Sequence, residues 1–354
     1  MAHLSPTKID VKVAGDLRVP ITPHLSVGAQ SDNRLRVVSF VDLRSPAILL
    51  ENNRFLQVLL QRCVRLIDPQ EPPFSMIRFL LISHFLILTA LPSTQSTGPE
   101  KGTLMIVGGG AMPHLAEPFF ELIGGKDAPI VFIPTASGDV PPERYHEYAT
   151  RWTEQGATNV IVIHTTDPAI ANTEAFVKPI REAKAVWFGG GRQWRLVDAY
   201  KGTLTERALW DLLDRGGVIG GSSAGATIQG SYLARGDTRN NQIMTGDHEE
   251  GFGFVKNIAI DQHHLARNRH FDMFAIRSKY PDLLGIGIDE GTAVIVRGNQ
   301  FEVIGNGYVT IYDDTFWSSE GSSLKSLPPK EFLFYFLKPG DRYDLENRTV
   351  IQGR

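Results

Sequence analysis

Gly217-Val218-Ile219-Gly220-Gly221-Ser222-Ser223-Ala224-Gly225-Ala226 runs a short apolar segment into a turn of small residues. A helical stretch, residues 226–233, is expected to come after it. Gly221, Ser223 and Gly225 fit the G-x-S-x-G pattern of a nucleophile elbow. In such an elbow a strained strand-to-helix turn lifts one hydroxyl above the end of a sheet, and only small neighbours leave the backbone room to approach. The start of the new helix would favour negative charge developing beside that hydroxyl. The same residues also suit a plain tight turn or a phosphate cradle.

Outward from the elbow the pattern is regular. Residues 104–107 end in Gly108-Gly109-Gly110, residues 130–133 in Pro134-Thr135-Ala136-Ser137, and residues 160–163 in His164-Thr165-Thr166. Residues 185–188 end in Gly189-Gly190-Gly191, and Val218-Ile219 ends in the elbow itself. These runs are rich in β-branched residues and lack polar alternation, as strands buried on both faces do. Helix-like stretches at 142–154, 173–183, 193–200 and 204–215 lie among them. The alternation predicts an α/β fold with a doubly wound, mostly parallel sheet, whose strand ends gather at one ligand-binding edge. Residues 258–260, 284–288, 292–296, 301–304 and 309–312 read as extra C-terminal strands on the same domain, with turns at Asn299 and Gly305-Asn306-Gly307.

Composition narrows the function classes. The chain has 354 residues, 42% hydrophobic and 21% charged, with a formal net charge of −3. That is ordinary globular composition, and no basic surplus points to nucleic acid as a partner. Cys63 is the only cysteine, so neither an intrachain disulfide nor a cysteine zinc cluster can form. Gly108-Gly109-Gly110 is followed by Ala111-Met112-Pro113 rather than by a third spaced glycine and its helix, so no nucleotide cofactor is expected. Asp247, His248, Glu249 and Glu250, with His264, His270 and Asp272, have no recognised metal-ligand spacing, and no metal is expected.

The first hundred residues differ from the rest. Residues 1–75 show no sustained helical or strand period. Met76-Ile77-Arg78 then precedes an uncharged apolar run, 79–91, and a small-residue stretch, 92–99. Basic start, apolar core and small-residue exit occur in the order of a secretory signal, and the core is short for a membrane span. Translation is therefore expected to begin at Met76, with residues 1–75 a non-native or disordered extension and 76–96 a signal peptide; the apolar run also suits a buried core helix or an internal membrane anchor behind a true N-terminal extension. Thr94 and Ser96 suit the −3 and −1 cleavage positions. The remaining 97–354 would be a single hydrolytic domain, secreted or periplasmic, with no stable membrane association after cleavage. A homodimer is compatible with this reading.

A serine nucleophile needs a base and a group to orient that base. Asp261-Gln262-His263-His264 closes the predicted strand 258–260, and His263 is the candidate base, placed by strand alternation on the face of Asp261. Asp289-Glu290 comes directly after another predicted strand and offers a carboxylate for the imidazole. Gly189-Gly190-Gly191 could give a backbone N–H to an oxyanion together with Ala224. Arg267 and Arg269 could hold a substrate carboxylate or form a solvated helix face.

Taken in order, Gly108–Gly110, Ile133-Pro-Thr-Ala-Ser137, Phe188-Gly-Gly-Gly-Arg-Gln193, Gly221-Ser-Ser-Ala-Gly-Ala226, Gly251-Phe-Gly-Phe254, Asp261-Gln-His263 with Arg267 and Arg269, and Gly285-Ile-Gly-Ile-Asp-Glu290 resemble the cyanophycinase branch of the S51 serine peptidases. The resemblance spans roughly residues 102–312. It implies a flavodoxin-like sheet related to class I glutamine amidotransferases. It also implies a catalytic Ser223, His263 and Glu290, an oxyanion hole from Gly191 and Ala224, and a substrate pocket lined by Gln193, Asp261, Gln262 and Arg267. The implied substrate is cyanophycin or a similar peptide, and the reaction needs no cofactor. Arg192 stands where the family carries an acid, His264 where it carries an aromatic residue, and Asp272 where it carries a third basic residue.

Overall fold

In Thr103–Val107 (β1) successive side chains enter two different cores. Leu104 and Ile106 pack with Ile133, Phe188 and Ile219, whereas Met105 and Val107 pack with Phe119, Trp152 and Trp187. A strand apolar at every position can be buried on both faces, because its side chains alternate sides. The computed structural model describes residues 96–110, 113–318 and 329–351. The expected extension, 1–75, and the expected signal peptide, 76–96, lie outside the described residues apart from Ser96.

Ile130–Ile133 (β2), Val160–Val162 (β3), Ala185–Phe188 (β4) and Val218–Ser222 (β5) join β1 in parallel, in the order β1-β5-β4-β2-β3. Helices cover both faces. Pro113–Ile123 (α1) and Tyr145–Thr153 (α2) cover one, where Phe119, Trp152 and Trp187 meet with ring centroids 4.9–5.0 Å apart. Glu174–Glu182 (α4) and Leu204–Asp214 (α6) pack on the other through Val177, Ile180, Leu209 and Leu212. Pro168–Ala171 (α3) and Trp194–Tyr200 (α5) complete this layer. The doubly wound α/β fold is thus present, and β2 and β4 flank the point where successive connections diverge.

The C-terminal strands do two things. Thr292–Arg297 (β9) and Gln300–Gly305 (β10) form a hairpin that extends the parallel block antiparallel to β1, followed by Arg342–Asp344 (β13) and Thr349–Ile351 (β14). The others build a second, five-stranded sheet among the described residues. Its order is β12-β11-β8-β7-β6, formed by Gly230–Tyr232 (β6), Val255–Gln262 (β7), Leu284–Ile288 (β8), Val309–Tyr312 (β11) and Tyr335–Leu337 (β12). Ile258, Ile260, Ile286 and Ile288 enter the same core as the first sheet, and Met273–Lys279 (α8) packs on the outer face.

One expected element is corrected. The helix after the elbow is only Ala224–Thr227 (α7), and residues 230–232 form β6 instead of a helix extending to 233. Gly230 lies against β7, where a Cβ would come 3.2 Å from the Ile258 carbonyl oxygen. Pairing with β7 thus outcompetes the helical pattern of the local sequence.

Candidate active site

Ser223 comes immediately after β5, with φ 59° and ψ −114°. Such backbone costs on the order of 1–3 kcal/mol and persists only where its surroundings over-determine it. Here the Ser223 amide donates to the Val107 carbonyl at 3.1 Å. The turn also closes at contact distance. A Cβ at Gly221 would lie 2.2 Å from the Gly225 oxygen, and one at Gly225 would lie 2.2 Å from the Phe188 oxygen. The strain therefore fixes the direction of one hydroxyl.

That hydroxyl meets His263. Ser223 Oγ is 2.9 Å from His263 Nε2, and His263 Nδ1 is 2.6 Å from Glu290 Oε1. A carboxylate can only accept, so Nδ1–H donates to Glu290 and Nε2 is free to accept from the serine. Alternation does not put His263 there, however. The strand β7 ends at Gln262, and His263 turns left-handed at φ 51°. Asp261 and His264 consequently share the opposite, buried side, with His264 Nδ1 3.6 Å from Asp261 Oδ2. His264 Nε2 meets the Tyr312 hydroxyl at 2.9 Å. The His263 amide donates to the Gly108 carbonyl at 2.8 Å, and the ring lies on Gly109, where a Cβ would come 2.3 Å from Cε1. Burial pulls the His263 pKa below its ordinary value, Glu290 opposes that pull, and the nearby Arg267 and Arg269 charges reinforce it. The balance favours the neutral imidazole that a general base must be.

Across the serine lies the loop after β4. A Cβ on Gly190 would sit 3.3 Å from Ser223 Cβ. Among the described residues the Gly190 and Gly191 amides have no acceptor. The loop is held from behind: the Arg192 amide donates to the Ala136 carbonyl at 2.7 Å, and Ser137 Oγ donates to the Gly190 carbonyl at 3.1 Å. Ala224 comes directly after the nucleophile in sequence, and Gly191 belongs to the loop whose Gly190 faces Ser223.

The expected pocket residues are only partly brought to the surface. Arg267 is exposed. Gln193 is fully buried, and its Nε2 donates to the Ala234 carbonyl at 2.5 Å. Asp261 is fully buried and takes two hydrogen bonds from Arg235, at 2.7 and 2.9 Å. Burial opposes its charge, but contacts with His264 and Arg235 outweigh that and hold it well below the usual carboxylate range. Gln262 is buried, and its Oε1 accepts from Arg269 Nη1 at 2.9 Å. Gln193, Asp261 and Gln262, expected to line the pocket, are thus buried side chains held by hydrogen bonds within the protein. The departures have partners too. Arg192 donates through Nη2 to the Asp237 carbonyl, and Asp272 accepts from Arg235 at 2.6 Å.

Two further side chains shape the histidine turn and its surroundings. Asp289 Oδ1 accepts from the Leu265 and Ala266 amides at 3.0 and 2.8 Å, which pins the turn just after His263. Of the pair Asp289-Glu290, one carboxylate thus meets the imidazole and the other caps backbone amides. Arg235 has φ 58° and no exposed surface, and nothing near it in sequence marks it as the partner of Asp261. The metal candidates disperse: His248 lies between Asp198 and Asp247, and Glu249 pairs with Lys279. Among the described residues no three His, Cys, Asp or Glu groups converge as metal ligands.

The chain is similar to known proteins in sequence and in fold. The cyanophycinase of Geminocystis herdmanii is 27% identical over 72% of this chain and 97% of its own length. The cyanophycinase of Nostoc sp. is 29% identical over 71% of this chain and 88% of its own. A solved peptidase from an acI-B1 actinobacterium shares the fold, with a TM-score of 0.53 and 22% identity over 70% of this chain and 98% of that one. Residues 104–304, which hold the elbow, the histidine turn and the carboxylate, match peptidase family S51, and the chain belongs to that family.

Proposed function

We propose that the chain is a serine peptidase of aspartyl peptide bonds that degrades cyanophycin to β-Asp-Arg dipeptides. The observation carrying the reading is the relay Glu290–His263–Ser223, with contacts of 2.6 and 2.9 Å. Ser223 Oγ attacks the scissile carbonyl carbon and its proton passes to His263 Nε2. The oxyanion is held by the Gly191 and Ala224 amides, while Glu290 stabilises the imidazolium through Nδ1. Collapse breaks the C–N bond, and the leaving amine takes the proton from Nε2. Water then repeats the sequence and frees Ser223 with the new carboxyl product. Two relatives named cyanophycinases support the substrate, whose aspartate backbone carries arginine on the β-carboxyls.

The test compares neighbours in the elbow. Ser223→Ala should lower kcat on cyanophycin by on the order of 10³-fold or more, whereas Ser222→Ala should be mild. Equal losses would remove Ser223 from its role. A second reading, cleavage of other Asp-X or small peptides, is favoured by Arg192 and Asp272, which change the charge expected of the family. A panel of Asp-containing peptides run beside cyanophycin separates the two. Export from a start at Met76 is a further part of the proposal, supported by the order of basic start, apolar core and small-residue exit. N-terminal sequencing of protein from the native host should find a mature chain beginning between about residues 92 and 99. A mature chain retaining residues 1–75 would refute it.

A further inference from the structure

Exposed aromatic side chains gather on one face of this molecule. Phe271 is 61% exposed, Phe332 54%, Tyr308 50% and Phe336 41%. They form one strip through ring contacts: Tyr308 to Phe336 at 6.0 Å, Phe336 to Phe334 at 5.8 Å, and Phe334 to Phe271 at 6.1 Å. Phe274 connects Phe332 to it at 5.6 Å. Phe334 and Phe336 flank Tyr335, so they share the outer face of the edge strand β12. The strip begins at the catalytic rim, because the Tyr308 carbonyl accepts from the Asp289 amide at 3.2 Å, one residue before Glu290. Among the described residues no Lys or Arg stands over any ring of the strip.

Contiguous exposed apolar surface of this kind marks a binding site. We propose that the strip is a docking track for the polymer substrate, which receives successive guanidinium side chains of an extended chain on its ring faces. The proposal rests on the cyanophycin reading. Two observations select this occupant. Ring faces attract guanidinium groups, which stack on them as planar cations. The strip also has room for more than one side chain: neighbouring rings stand 5.8–6.1 Å apart and meet edge to face, while alternate residues of an extended chain place side chains on one face about 6.4–6.8 Å apart. A substrate with arginine on every aspartate presents such a row, and a track starting beside Glu290 leads it to the relay. A second copy of this chain seated on the same face would instead lie across that approach.

The test uses the full chain carrying Phe271→Ser and Phe336→Ser together, beside a ring-preserving Phe271→Tyr and Phe336→Tyr pair. KM is measured on cyanophycin, kcat/KM on a fragment of two β-Asp-Arg units, and the oligomeric state by light scattering. The serine pair should raise KM for the polymer about 5- to 20-fold and leave the short fragment unchanged, and the tyrosine pair should behave as the unaltered protein. An unchanged polymer KM, or a dimer that becomes a monomer in the serine pair, overturns the track. If the unaltered protein cleaves neither substrate, the cyanophycin reading falls by itself. The track is then judged by retention of the Ser223→Ala protein on immobilised polyarginine: loss of retention with the serine pair upholds guanidinium docking, and equal retention overturns it.

Discussion

Ser223 and His263, the two ends of the proposed proton path, both occupy left-handed backbone, at φ 59° and 51°. Neither would hold there unaided, so their neighbours have measurable catalytic weight. Asp289 is the clearest case, since one carboxylate oxygen accepts from both amides after the histidine turn. Asp289→Ala should reduce kcat by on the order of 10-fold or more with little change in KM, because misplacing a reacting group is costly. Asp289→Asn keeps an acceptor and should restore most of it. Loss of KM and kcat alike in both variants would make Asp289 a folding residue only. Arg267 acts through charge. Burial comes first in depressing the His263 pKa and the Arg267 charge adds to it. The acid limb of kcat/KM should thus lie below the ordinary histidine range, with activity lost as the imidazole protonates. Removing the cation in Arg267→Gln favours the protonated form, so the limb should move to higher pH. A limb that stays fixed or moves lower would contradict this electrostatic account.

Among the elements, the segment from β6 to α8 holds the least legible part of the site. The elbow could be read because its requirement is local: small residues around one serine. The strands β1, β2 and β4 could be read because burial on both faces leaves unbroken apolar runs. His263 was identified through its place at a strand end, yet the reason from alternation failed, since a single positive φ reverses the facing of the next side chain. The burial of Asp261 could not be read, because its partner Arg235 belongs to another loop with no periodic signal. Arg235 and Asp261 have no exposed surface and bond at 2.7 and 2.9 Å. Breaking such a pair by Arg235→Met should cost about 3–5 kcal/mol, because it strands a buried carboxylate. Urea unfolding measures this, and adding Asp261→Leu should recover part of the loss. A single variant as stable as the unaltered chain would contradict this account of the pair.

At the scale of the whole molecule, the relay is divided between sheets. Ser223 arrives on β5 of the larger sheet, and His263 and Glu290 arrive on β7 and β8 of the smaller, just past the strand ends. The glycine triplet after β1 joins them: the Gly108 carbonyl accepts from His263 and the Gly109 carbonyl from Gly291, at 2.8 and 2.9 Å. Loosening this junction should end catalysis before either sheet melts. In a urea titration, activity should therefore decline at lower denaturant than far-ultraviolet circular dichroism. Coincident curves would mean that the two sheets separate only when the fold is lost. The glycine seam also has a pharmacological meaning. A wedge lodged there need not touch the serine, imitate a peptide or enter the substrate's path. Prying the sheets apart by about an ångström would be enough to silence the nucleophile, since productive contacts tolerate little displacement. The enzyme's vulnerable point is thus its keystone rather than its keyhole.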